Sequence, residues 1–175
     1  MRPRLPLLIA LASATAIGCA ARARAPTHGP QSADVDGVAL VGADGRPIVL
    51  RDALARRPTL VSFWAPWCEP CVRELPDLER LSRAVAPCGA AVVGVAVGET
   101  PAATAAFARA RGLDYPQLTD EPFALADALG QRRIPATAVF DAAGRVVFTG
   151  DALDARAEAA LARALGDSAA RCVWP

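Results

Sequence analysis

Blocks of apolar and polar residues change their period along the chain, and each period predicts an element. The stretch VALVGADGRPIVL, Val38 to Leu50, reads as two short strands about an Asp44-Gly45 turn, because Asp-Gly between apolar runs is a strong hairpin signal. A short helix over about Asp52 to Arg57 is expected next. TLVSFWA, residues 59–65, is a continuous apolar run of strand length, which predicts a strand buried on both faces. Leu75, Leu78, Leu81 and Val85 then recur at helical spacing within a helix from about Glu69 to Ala86, with a kink expected at Pro76. AAVVGVAV, 90–97, is a second buried strand. Thr100 and Pro101 form the cap and first turn of a helix running to about Arg111. A further small helix is expected near Phe123 to Leu129, then two strands in IPATAVFDAAGRVVFTG joined at Asp141 to Gly144, then a last helix over about Leu153 to Leu165. The order predicts a central mixed sheet covered by helices on both faces.

The first 36 residues do not share this patterning. Arg2 and Arg4 precede an apolar run from about Leu5 to Ile17, interrupted by Pro6 and too short for a comfortable membrane span, which reads as an export signal over 1–18. Ala16-Ile17-Gly18-Cys19 resembles a bacterial lipobox with Ala16 in place of the usual leading Leu, making Cys19 the expected lipidated first residue. Ordinary cleavage near Ala21 to Ala25 and an uncleaved anchor are the alternatives. Residues 19–36 read as the lipidated Cys and a flexible tether, and 37–175 as the folded domain, placed outside the cytoplasm where disulfides persist.

Composition narrows the chemistry. The chain has 175 residues and a formal charge of +1, which fits one domain and argues against a nucleic-acid binder. Every basic residue other than His28 is Arg, so no lysine is available for a phosphate loop or a Schiff base. A Ser-His-Asp triad or a histidine metal site would need His28, which reads as a solvated tether residue. Cysteine chemistry is left. Cys68 and Cys71 stand two residues apart behind a buried strand, and a metal clip, a structural staple or a redox pair all use that spacing.

The hairpin DGRPIVLRDAL, the run FWAPWCEPC with RELP after it, and RIPATAVFDAAGRVV together resemble the thioredoxin fold. Within it, the chain is similar to the membrane-tethered, extracytoplasmic thiol-disulfide oxidoreductases of the TlpA and ResA type, over roughly residues 40–150. The resemblance implies an α/β thioredoxin fold with an N-terminal β-hairpin extension. It implies no cofactor, a cis bond at Ile134-Pro135 facing the cysteine pair, and pairing of a substrate strand with the backbone before Pro135; a plain strand-initiating proline is the other reading. At the start of a helix, Cys68 gains thiolate stabilisation from unpaired N–H groups and acts as nucleophile, and Cys71 resolves the mixed disulfide. A metal would need two further ligands that Cys88 and Cys172 are not placed to give, and a staple closing so small a loop would stabilise little.

Ser62 matches the position where thioredoxin has a buried acid. Glu74 matches a glutamate that the ResA type keeps near its active site, where it would move protons or tune Cys71; a solvated helix carboxylate is the alternative. Glu69 and Pro70 lie between the cysteines, and the charge of Glu69 opposes the thiolate, favouring a reducing pair. Trp67 is expected as an apolar platform beside the disulfide and Trp64 as core. The expected activity is reduction of disulfides in exported proteins, such as the haem-binding cysteines of apocytochrome c, by a monomer recharged by a membrane electron donor. The alternatives are a net oxidant or isomerase, and a copper-site assembly protein, which would want wider cysteine spacing and a histidine in the domain. A peroxidase is disfavoured because no Thr stands three residues before Cys68 or Cys71. In the implied fold, the helix after Cys71 and the last helix both run to the pole opposite the active site, so Cys88 and Cys172 are expected to form a second, structural disulfide.

Overall fold

The computed structural model describes Val35, residues 37–54 and residues 56–174; the export signal, Cys19 and His28 lie outside the described residues. Strands β1 (Ala39–Gly42) and β2 (Pro47–Val49) form the expected hairpin, with Asp44 Oδ1 accepting from the Arg46 N–H at 3.0 Å and Gly45 at φ 78°. That left-handed position is one a side chain would strain. Helix α1 (Leu50–Leu54) starts two residues earlier than its polar composition indicated, because Leu50 and Leu54 share one helical face and both are buried. Val35, assigned to the tether by its polar neighbours, is instead buried, its carbonyl accepting from the Val38 N–H ahead of β1.

Strand β3 (Thr59–Trp64) is fully buried and lies between parallel β4 (Ala91–Val97) and antiparallel β6 (Ala136–Phe140). β6 turns back into β7 (Val146–Gly150), with a register shift at Val139/Phe140. Hydrophobic patterning did not indicate β5 (Gln117–Asp120), parallel to β4 and antiparallel to β1. Only Leu118 in it is a large apolar residue, yet all four residues are buried. Most of their polar groups are paired inside: Gln117 with Trp64, Thr119 with Thr104, and Asp120 Oδ2 with two backbone N–H groups, while Asp120 Oδ1 is buried without a partner. The seven-stranded order is β2-β1-β5-β4-β3-β6-β7, so β2 of the hairpin forms one edge of the sheet and β7 the other.

Side-chain alternation divides the core between two faces. Leu60, Trp64, Val92 and Val139 meet α2 (Glu69–Val85) and α5 (Ala155–Leu165), and Phe107 of α3 (Pro101–Arg111) packs there too. Val61, Phe63, Val93 and Val95 meet α1 and α4 (Ala124–Ala128) on the other face. Helix α2 continues through Pro76, although the ring removes the N–H that would bond to the Val72 carbonyl. The last helix begins after Asp154, whose Oδ1 accepts from the Arg156 and Ala157 N–H groups at 2.9 and 3.0 Å. The fold is the mixed α/β thioredoxin-like arrangement expected, with helices on both faces.

Candidate active site

β3 ends at Trp64, and a four-residue turn delivers Cys68 to the N-cap of α2. Its backbone is extended (φ −86°, ψ 93°) and its Sγ accepts from the Cys71 N–H at 3.3 Å. That amide belongs to the first turn, whose N–H groups have no partner inside the helix. Pro70 sits in the same turn, where its missing N–H costs nothing and its fixed φ suits the helix. Cys68 and Cys71 are joined as a disulfide with Cα atoms 5.3 Å apart. Their exposures differ: Cys68 is 6% exposed and Cys71 1%. An incoming sulfur therefore meets Cys68 first, and the group it meets sits where helix N–H groups stabilise negative charge.

The Ile134-Pro135 bond is cis, and both residues are half-buried. Ile134 lines the same groove as Trp67, which is 67% exposed, whereas Trp64 is wholly buried as expected. Beneath them, the α2-facing side of the sheet carries a row that sequence reading recovered only at Ser62. Ser62 pairs in register with Gly94 on one side and Thr137 on the other, and Gly94 pairs with Gln117. The Gln117 side chain lies over Gly94 and accepts from Trp64 Nε1 at 3.0 Å. A glycine inside an apolar strand run is a readable sign of such a close approach. Gln117 and Thr137, polar residues on central strands, gave no sign in the sequence.

Glu74 lies three residues past Cys71, one turn along the same side of α2. Its Oε2 is buried without a hydrogen-bond partner. Burial pushes its pKa above the usual carboxylate range, partly offset by a hydrogen bond from the Leu153 backbone. Glu69 is 86% exposed and pairs with Arg73 at 2.8 Å, so its charge beside Cys68 is partly balanced. Cys88, buried at the end of the 3-10 turn Ala86–Cys88 that follows α2, and Cys172, after the 3-10 turn Gly166–Arg171 that follows α5, have Cα atoms 5.6 Å apart. That separation is one a disulfide spans. Among the described residues no group of three or more His, Cys, Asp or Glu could hold a metal ion, and no helix is long and apolar enough to cross a membrane.

The Redoxin family model matches residues 21–167. The thiol-disulfide oxidoreductase ResA of Bacillus subtilis (strain 168) is 29% identical over 117 residues, 67% of this chain and 65% of that protein, so the chain spans slightly under two thirds of this relative's length. The crystal structure of a thiol:disulfide interchange protein of the thioredoxin family from Chlorobium tepidum TLS is 28% identical, with a TM-score of 0.61 over 74% of this chain and 93% of that one. The exposed lipoprotein thioredoxin Etrx1 of Streptococcus pneumoniae strain TIGR4 is 26% identical, with a TM-score of 0.56 over 73% and 96%. Because the matched span contains the cysteine pair, the cis-proline and the sheet that sets them together, the chain belongs to the Redoxin family and carries this site on a thioredoxin-like fold.

Proposed function

We propose that the chain is an extracytoplasmic thiol-disulfide oxidoreductase acting on disulfides of exported proteins. The observation that carries the reading is the placing of the more exposed cysteine, Cys68, at a helix N-cap with its sulfur accepting an amide hydrogen bond. The Cys68 thiolate attacks a client disulfide, forming a mixed disulfide and releasing one client thiolate. Cys71, deprotonated, attacks the Cys68 sulfur, restores the Cys68–Cys71 disulfide and releases the second client thiolate. Two electrons pass to the client, and a membrane dithiol carrier returns them. Glu74, raised and partly buried, is the proposed acceptor of the Cys71 proton. Ile134 would offer its backbone to an extended client segment.

Net reduction is the proposed direction, with the haem-binding cysteines of apocytochrome c as an example client. The Glu69–Arg73 ion pair weakens the charge effect that favours it, so potential decides: below about −220 mV supports a reductant and near about −120 mV an oxidant. Cys68→Ser should abolish insulin reduction, while Cys71→Ser should hold clients as mixed disulfides without turnover. Undiminished turnover by Cys68→Ser overturns the assignment. The working form is proposed to be a monomer tethered by lipid on Cys19, supported by the lipobox-like Ala16 to Cys19 and the lipoprotein named above. Cys19→Ala should then release the protein from the membrane fraction, and persistent association with an intact N-terminus refutes the lipid anchor.

A further inference from the structure

Of the nine aromatic residues, two are exposed, Trp67 and Phe123, and both line one groove. Its volume is about 460 Å³, and Ile134, Val97 and Ala126 complete its apolar wall. The position of Phe123 is built. Its backbone lies in the left-handed region (φ 60°, ψ 22°), which costs a non-glycine residue free energy and persists only where the surroundings impose it. Asp120 imposes it. Its carbonyl accepts from the N–H groups of both Gly98 and Phe123, at 3.1 and 3.2 Å. Its wholly buried side chain accepts from the Leu125 and Ala126 N–H groups, each at 3.0 Å. Gly98 leaves room for the ring: a Cβ there would stand 2.8 Å from Phe123 Cζ.

A strained, half-exposed aromatic ring beside the redox turn has no packing purpose that a polar residue would not serve at lower cost. We propose that Phe123, with Trp67 and Ile134, forms a specificity pocket for an apolar side chain of the client, within two residues of the cysteine that reacts with Cys68. The proposal rests on the oxidoreductase reading above and names the substrate class of that same site. The pocket is continuous with the redox turn, because Trp67 adjoins Cys68 and Ile134 precedes the cis-proline. Its rim favours an apolar occupant over an acidic one, since Arg132 pairs with Asp127 at 3.4 Å and Arg133 with Asp151 at 3.7 Å. Client disulfides flanked by Leu, Ile or Phe are therefore reduced faster than those flanked by Ser or Asp.

The test uses the reduced protein and two peptides, each in mixed disulfide with glutathione, that differ by Leu or Ser beside the cysteine. Oxidised glutathione reports the cysteine pair alone. Wild type should favour the Leu peptide by about 10-fold in kcat/KM, the range in which one apolar contact discriminates. Phe123→Asn, which suits the left-handed backbone, should bring the ratio towards 1, and Phe123→Leu should retain most of it. A wild-type ratio near 1, or an undiminished ratio in Phe123→Asn, overturns the pocket while leaving the oxidoreductase reading intact. Failure to reduce any of the three disulfides overturns both. Should Phe123→Asn not fold, amide shifts of wild type with a cysteine-blocked Leu peptide decide: they should centre on Phe123 and Ala126, and shifts confined to residues 68–71 refute the proposal.

Discussion

A disulfide between Cys88 and Cys172 would close a loop with a sequence separation of 84 residues, taking in β4, the antiparallel strand pair and the last helix. On the chain-entropy model, opening such a loop in the unfolded state costs the protein about 4.5 kcal/mol of stability. For a domain of this size, with an unfolding entropy of about 0.3 kcal/mol/K, that corresponds to a fall in Tm of up to about 15 °C. The assay must separate this bridge from the redox pair, which any reductant also opens. In Cys68→Ser/Cys71→Ser protein, dithiothreitol should lower Tm by several degrees or more, up to that limit. In Cys88→Ser/Cys172→Ser protein, Tm should already be low. Peptide mapping of unreduced, alkylated protein should recover the two cysteines as one linked pair. Equal Tm with and without reductant, together with alkylation of both cysteines in native oxidised protein, would refute the bridge.

Glu74→Gln should slow release of the mixed disulfide more than its formation, because it removes the proposed acceptor of the Cys71 proton; equal effects on both steps would leave Glu74 without that role. The raised pKa fixes the sign for stability. Glu74 favours the fold below its unfolded value near 4.5, and that contribution is lost as pH rises through the higher folded value, so the wild type should lose stability over that interval relative to Glu74→Gln in urea titrations. Gly94→Ala should destabilise by about 2 kcal/mol or more, since its Cβ meets Gln117 Oε1 and displaces the acceptor of the buried Trp64 N–H; urea unfolding within about 0.5 kcal/mol of wild type would show that Gln117 moves aside freely.

The parts of the fold legible in the sequence were those where apolar residues carry the period. TLVSFWA and AAVVGVAV are buried on both faces, and Thr100-Pro101 opens its helix with Thr100 Oγ1 accepting from the Ala103 N–H at 3.3 Å. β5 was not legible because Gln117, Thr119 and Asp120 are polar, and what makes them tolerable in a core, their partners Trp64, Thr104 and the start of α4, lies far away in the chain or in backbone geometry. Asp154 as the cap of α5 was legible in principle, an Asp just before an Ala-rich periodic stretch, but Leu153 drew the start of the helix two residues early. At the site, Cys68 and Cys71 were read from spacing and Glu74 from resemblance. Phe123 was read only as the edge of a small helix, because nothing local in EPFALADAL says that the ring stays out of the core.

The two cysteine pairs lie near opposite ends of α2, which explains how one chain could keep a reactive disulfide and a permanent one together. The redox pair occupies the first turn, and Cys88 follows the last, about 30 Å away at 1.5 Å per residue. No thiolate formed at Cys68 can reach that far within one molecule, so exchange between the pairs needs a second copy or a client. At the far end Cys88 ends one 3-10 turn and Cys172 follows another, where helix polarity disfavours a thiolate. At the near end, Cys68 is held at a helix N-cap beside the exposed Trp67, where helix polarity favours a thiolate. Burial does not separate the two ends, since Cys172 is more exposed than Cys68, so the difference in reactivity follows from helix polarity. The same helix buries Leu75, Leu78 and Leu81 in the core, so the turn carrying Cys68 is held by the packing of the whole element rather than by the disulfide. Opening the redox bond in each cycle then leaves the site's frame in place.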